Sequence, residues 1–144
     1  MGAALAYAAY RHAEVGTLTQ RDLLIKLFEG MERFIDQGAE AIRAHRYDVA
    51  TDRCRRVREI LFELISTLNM EVGGEVAQRL NAIYVFLVDQ VTLTGMRKDA
   101  EGLQRLKRTV TILREAWQGV PDEHANLTSL SGAGAAASVI SWQG

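Results

Sequence analysis

Side chains that could do chemistry are few in this sequence and poorly placed for it. The three histidines are His12, His45 and His124, and no glutamate is followed three residues later by a histidine. The Glu-x-x-His pairs of di-iron helical bundles are therefore missing. The histidines fall before the first predicted helix, at its end and after the last helix, so we predict that they do not converge on a metal. The sequence predicts no metal site and no cofactor.

The single thiol, Cys54, lies in the arginine-rich segment 53–58. Arginines that face a thiol lower its pKa and activate it. On a helical wheel, however, Arg55 and Arg56 point away from the apolar stripe that carries Cys54. We predict a buried structural cysteine beside a solvated, ion-paired arginine face. Contact of this face with an anionic partner stays open as the alternative.

No other catalytic pattern is present, so the sequence favours a protein that is not an enzyme. A phosphate-binding glycine-rich loop with its Lys and Ser/Thr is absent, and Gly73–Gly74 is better interpreted as a helix break. One cysteine allows no intrachain disulfide, and the start of the chain lacks the pattern of a secretory signal. We therefore expect a cytoplasmic protein.

Composition narrows the class further. The chain has 144 residues, 48% of them hydrophobic, and a net charge of −1 from 17 basic and 18 acidic residues. These values indicate one globular domain with no electrostatic footprint for nucleic acid. No apolar run is long enough for membrane insertion. The single proline, Pro121, favours long helices over a turn-rich fold.

The elements that must position any site are four predicted helices, which favour an all-α, antiparallel up-down four-helix bundle. Gly73 and Gly74 mark the predicted structural break between the second and third helices. Thr19, Asp48 and Asp99 are candidate N-caps. The predicted helix bounds are about 19–45, 48–70, 74–97 and 99–119.

Two flanking segments complete the predicted organisation. Residues 1–18 form an N-terminal arm, and residues 121–144 form a Gly/Ala/Ser-rich tail that carries no charge from residue 125 onward. This composition favours a flexible tail. Docking of Ile140 and Trp142 on an apolar surface of the bundle is the alternative.

More apolar residues are present than one stripe per helix requires. The predicted stripe of the third helix consists of Val76, Leu80, Ile83, Tyr84, Leu87 and Val91. Further apolar residues lie off the stripes of the last three helices and need a second burial partner: Phe62, Ile65, Val85, Phe86, Val88 and Ile112. That partner could be another part of this chain, a foreign peptide bound in a groove, or a second copy in a homodimer.

Several segments of the sequence resemble the bacterial flagellin export chaperone family, FliS. Residues 27–35, LFEGMERFI, resemble its Leu-Tyr-Asp-Gly…Arg-Phe segment, and residues 66–84 resemble its most recognisable motif. Tyr7 and Tyr10, followed by Glu-Val, resemble its N-terminal tyrosine segment. Residues 113–117 resemble its last helix.

This resemblance implies a four-helix bundle that binds the disordered C-terminal region of flagellin and keeps it from polymerising. It also implies delivery to the flagellar type III export apparatus, with the export gate as a partner of the loaded chaperone. An N-terminal cover formed by Leu5, Tyr7 and Tyr10 would occupy part of the groove until flagellin displaces it. The alternative function is a helical scaffold or regulatory protein for another flagellar or signalling partner.

Overall fold

The computed structural model describes residues 19–121, and the all-α bundle predicted from the sequence is confirmed there. The predicted N-terminal arm, 1–18, and the predicted C-terminal tail after Pro121 lie outside the described residues. The four helices are α1 Gln20–Arg43, α2 Tyr47–Thr67, α3 Met70–Met96 and α4 Ala100–Gln118.

Helix α1 is the most buried element of the bundle. It packs extensively against both α2 and α4, whereas the interface between α3 and α4 is the least extensive of the four. Its core face recurs at helical spacing, and a buried leucine or aromatic side chain in such a face contributes about 1.5–3 kcal/mol. The buried side chains include Leu24, Leu27, Phe28, Met31, Phe34 and Ile35.

A ladder of polar contacts joins α1 to α4 and fixes their relative direction. Glu32 accepts hydrogen bonds from Arg114 Nε at 2.6 Å and from Thr111 Oγ1 at 2.7 Å. Nearer the end of α1, Arg43 Nη2 donates to Glu101 Oε1 at 2.9 Å. Residue numbers rise along α1 as they fall along α4, so these two helices are antiparallel.

The two three-residue turns, α1–α2 and α3–α4, end their preceding helices in the same way. His45 and Lys98 occupy the left-handed region, with φ of 58° and 54°. The following amide reaches back to a carbonyl five residues earlier in each case: Arg46 N to Ala41 O at 2.8 Å, and Asp99 N to Thr94 O at 2.9 Å. This is the Schellman arrangement, which satisfies carbonyls at a helix C-terminus.

Two of the three predicted N-caps are confirmed, and one is wrong. Thr19 Oγ1 accepts from Asp22 N, and Asp99 Oδ1 accepts from Gly102 N at 2.9 Å. Asp48 lies inside the first turn of α2, whose N-cap is Arg46 and has no side-chain cap bond. The Schellman turn carries the chain directly into α2, which therefore begins one residue before Asp48.

The helical path is interrupted twice between the second and third predicted helices: at Leu68–Asn69, and again at Gly74 within the predicted Gly73–Gly74 break. Helix α2 ends at Thr67, and α3 begins at Met70 because Asn69 Oδ1 caps Val72 N at 3.0 Å. Gly73 remains helical, with its amide bonded to Asn69 O at 2.9 Å. Gly74, at φ 50° and ψ −124°, is non-helical, and two helical segments of α3 meet there at a kink. This conformation is accessible to glycine and strained for other residues.

We expect Gly74→Ala to lower the free energy of unfolding by about 1–3 kcal/mol, because alanine must adopt the strained backbone conformation. No atom lies near the added methyl group, so backbone strain is the cause. Gly119→Ala is the matched control, because Gly119 has φ −86° and its added Cβ would meet only an ordinary contact at 3.6 Å. Urea unfolding followed by circular dichroism gives both values. Equal stability of the two variants would show that the kink is unstrained.

Candidate partner-binding surface

Large apolar side chains are exposed on α3 and on the facing parts of α2 and α4. Among the six residues predicted to accept a partner, four are about half exposed: Phe62 (54%), Val85 (44%), Phe86 (53%) and Ile112 (59%). Ile65 and Val88 are partly buried against the core. Three of the six are on α3 itself, and the other three are on its neighbours α2 and α4.

Two close approaches establish which side of α3 faces each neighbour. A Cβ placed on Gly95 would lie 3.3 Å from Cys54 Sγ, so the Gly95 side faces α2. A Cβ placed on Gly102 would lie 2.9 Å from Thr94 Cγ2, so the Thr94 side faces α4. Gly95 and Thr94 are adjacent in the chain and lie about 100° apart around the helix. These two contacts assign every other position of α3 after the kink to one side or the other.

Four of the predicted residues form one surface, which we call the α2–α3 face: Phe62, Ile65, Val85 and Val88. Ile65 and Val88 lie about 20° around their helices from the contacting positions Cys54 and Gly95. Phe62 and Val85 lie about 80° around, on the outer edges of the same interface. The half-buried pair thus forms the floor of the face, and the exposed pair forms its rim.

The other two predicted residues lie on the opposite side of α3, on what we call the α3–α4 face. Phe86 lies about 80° from Thr94, and Ile112 about 80° from Gly102, each turned outward. Ile83, only about 20° from Thr94, is partly buried between them. The six predicted residues therefore do not share one groove, because the ridge of α3 separates them into two faces.

A cavity of about 440 Å³ opens at one end of the α3–α4 face. Val76 and Leu80 on α3 form one wall, and the end of α4 with the residues after it forms the other. Val76 was predicted to lie in the core stripe, but it is 53% exposed. The prediction is wrong, because Val76 lines the open cavity and is not covered by core side chains.

Further exposed apolar residues of α3 were not predicted as site residues. They extend the exposed surface to both ends of the helix: Met70, Val72, Val76, Leu93 and Met96. The signal was available, since α3 carries apolar residues around most of its circumference. The predicted cover residues Leu5, Tyr7 and Tyr10 lie outside the described residues.

The polar side-chain contacts of α3 differ from those that join α1 to α4. Its one ion pair in the described part of the chain, Arg79 with Glu75, lies within the helix and is exposed. Thr92 and Thr94 hydrogen-bond carbonyls of their own helix. The side-chain ladder instead joins α1 and α4, on the far side of α4 from α3. The two faces beside α3 therefore present apolar surface without an ordered network of charges.

The arginine-rich segment departs from its prediction at Arg56, which is 7% exposed instead of solvated. Its Nε donates to Asp52 at 3.0 Å. Burial alone would raise the pKa of Asp52, but hydrogen bonds from Arg55, Arg56 and Arg53 lower it below its usual value. A long arginine stem can pack on apolar surface while its head is paired, which a helical wheel does not capture.

The prediction of a buried cysteine is confirmed, since Cys54 is 3% exposed. Burial raises the pKa of its thiol, and the charge of Arg58 only partly opposes this effect. Within residues 19–121, no group of three or more His, Cys, Asp or Glu side chains could hold a metal ion. None of the helices described there is long and apolar enough to cross a membrane.

We expect the Cys54 thiol to react slowly with 5,5′-dithiobis(2-nitrobenzoic acid) at pH 8 in the folded chain, because the raised pKa and burial both suppress the thiolate. The absorbance of the released nitrothiobenzoate measures the rate. In 8 M urea, one thiol per chain should react at the rate of a free cysteine. Reaction at that rate without urea would favour the alternative of an activated thiol.

Comparison with known proteins places this bundle in a family. The family described as Flagellar protein FliS matches residues 3–124. The flagellar secretion chaperone FliS of Vibrio cholerae is 32% identical over 99 residues, covering 69% of this chain and 72% of that protein. The protein of the same name from Campylobacter jejuni is 31% identical over 116 residues, covering 81% and 91%. The chain therefore belongs to the FliS family of flagellar proteins.

Proposed function

We propose that this chain is a cytoplasmic export chaperone that binds the disordered C-terminal region of flagellin. The observation that carries the proposal is the exposed apolar surface on both sides of α3 in a member of the FliS family. Exposed apolar patches of this kind mark interaction sites, because left uncovered they promote aggregation. The names of the relatives from Vibrio cholerae and Campylobacter jejuni support a role in flagellar secretion.

Helix-in-groove binding is the recognition mode that such faces support. An amphipathic client helix would lay one apolar stripe on the α2–α3 face, between Phe62 and Val85. A second client helix would contact Phe86 and Ile112 on the α3–α4 face. Apolar burial supplies about 25 cal/mol per Å². The client must also be ordered, which subtracts about 2–5 kcal/mol or more from this gain.

Binding in this form would prevent premature polymerisation of flagellin, because the apolar stripes needed for assembly are covered. The loaded chaperone would then deliver its client to the flagellar type III export apparatus, with the export gate as a further partner. Two separate faces suit a client with two helical segments joined by a linker, since occupancy of one face raises the effective concentration at the other.

The N-terminal arm is proposed to act as a cover. Leu5, Tyr7 and Tyr10 are apolar or aromatic and precede the capped start of α1 at Thr19. They would occupy part of the client surface in the free chain and leave it when flagellin binds. Such a cover would reduce self-association of the exposed faces before the client arrives.

We expect Phe62→Asp and Phe86→Asp each to weaken binding of a flagellin C-terminal peptide by roughly tenfold or more, since each removes apolar contact and places a charge in the interface. Isothermal titration calorimetry measures the effect. Both side chains are about half exposed in the free chain, so the variants should remain folded.

Glu40→Lys is the matched control, because Glu40 is exposed on α1, the helix that makes no extensive interface with α3. It should leave the affinity unchanged. Full affinity in both phenylalanine variants would contradict the proposed surface. Absence of saturable binding by the parent chain would contradict flagellin as the client and favour the scaffold alternative.

Deletion of residues 1–15 should tighten binding of the same peptide or increase self-association, because the proposed cover is removed while the Thr19 cap is kept. Calorimetry gives the affinity, and sedimentation equilibrium gives the mass of the free chain. A deletion variant with the parent's affinity and the parent's mass would show that the arm does not cover the surface. A parent chain already at twice the monomer mass would identify a homodimer.

A further inference from the structure

The cavity at the end of the α3–α4 face is an apolar site with no assigned occupant. All of its lining residues are uncharged, and together they join the first turns of α3 to the end of α4: Val76, Leu80, Leu113, Ala116, Trp117, Gly119, Val120 and Pro121. A site of this composition favours an uncharged apolar segment, because a charged group would lose hydration without gaining a partner.

Where the chain leaves the bundle points to that occupant. Pro121 is both a wall of the cavity and the last described residue. The segment 122–144 therefore begins at the mouth of the cavity. This position is itself held in place, because Val120 O accepts a hydrogen bond from Arg21 Nη1 at 3.2 Å.

The composition of the following segment matches the cavity. Its charged residues, Asp122 and Glu123, come directly after Pro121, and residues 125–144 carry no charge. Leu127 and Leu130 are three residues apart, a spacing that places both side chains on one side of a helical turn. Leu127 is the sixth residue after Pro121, and an extended chain of six residues spans roughly 20 Å. The segment can therefore leave the mouth with its charges in solvent and return its leucines to the cavity.

We propose that residues 122–144 dock in this cavity through Leu127 and Leu130, on Val76, Leu80 and Trp117. The tether makes docking intramolecular, with an effective concentration in the millimolar range for a short linker. A modest apolar contact is then enough to keep the cavity occupied. The docked segment covers one end of the α3–α4 face and leaves the α2–α3 face open.

Disulfide trapping in the full chain tests the docking. The pair Val76→Cys and Leu127→Cys, made with Cys54→Ala, should form an intramolecular disulfide under mild oxidation. The control pair is Gln118→Cys with Leu127→Cys. Gln118 is exposed, closer in sequence to Leu127, and about 160° around α4 from the cavity residue Ala116. We expect the cavity pair to cross-link at least about tenfold faster, as the raised local concentration requires.

Equal or faster cross-linking of the control pair would overturn the proposal, because an undocked segment meets the nearer position at least as often. Circular dichroism checks that each variant is folded. Should Cys54→Ala unfold the chain, the same pairs are made with Cys54 retained, because its thiol is buried. Disulfides between two chains, separated by mass, would identify a second copy as the occupant and would also overturn the proposal.

One consequence of docking rests on the proposed function. A flagellin C-terminal peptide that uses the α3–α4 face should slow cross-linking of the cavity pair. A chain ending at Pro121 should bind this peptide more tightly than the full chain does. Fast cross-linking without any peptide binding would leave the docking standing and contradict the client. Peptide binding by a chain whose cavity pair already cross-links no faster than the control pair before peptide is added would contradict the docking and leave the client standing.

Discussion

The structure depends on the apolar packing and polar contacts between α1 and its neighbours. Helix α1 buries an apolar stripe against α2 and α4, and the polar ladder from Arg43–Glu101 to Arg114–Glu32 lines the outer side of its α4 interface. An interface with both kinds of contact has one register, because a shift along the helix would leave the partly buried Glu32 carboxylate without its partners. Helix α2 packs extensively against α1. Helix α3 packs mainly against α2 and has only a small interface with the α1–α4 pair.

Because α1 packs firmly against α2 and α4, α3 needs to bury only a narrow apolar stripe in the core. Tyr84, Leu87 and Val91 bury one side of α3 in the core. Gly95 lets α3 approach α2 closely at Cys54, whereas the interface between α3 and α4 is less extensive. Much of its circumference is then left for other contacts. A helix with apolar residues on several sides is stable in water when something else covers the remaining surface, and here that surface is divided into two faces.

Much of this arrangement could be predicted from the sequence, because it follows from spacing. The four predicted helices are present, Cys54 is buried as predicted, and Thr19 and Asp99 cap their helices. Spacing along the sequence does not predict burial where burial depends on which side chains surround a residue in the folded chain. Val76 has the right phase for the core but faces a cavity, and Arg56 has the wrong phase but is buried through its pairing with Asp52. The division of the predicted site residues between two faces also required knowing which neighbour lies on each side of α3.

The kink at Gly74 connects the fold to the surface. Asn69 starts α3 before the glycine pair, so one turn of helix bearing Met70 and Val72 precedes the kink. Both side chains are about half exposed, and Val76, just after the kink, forms a wall of the cavity. A straight α3 would carry this first turn along the direction of the rest of the helix. The glycine conformation instead redirects this turn, immediately before the cavity wall that Val76 forms.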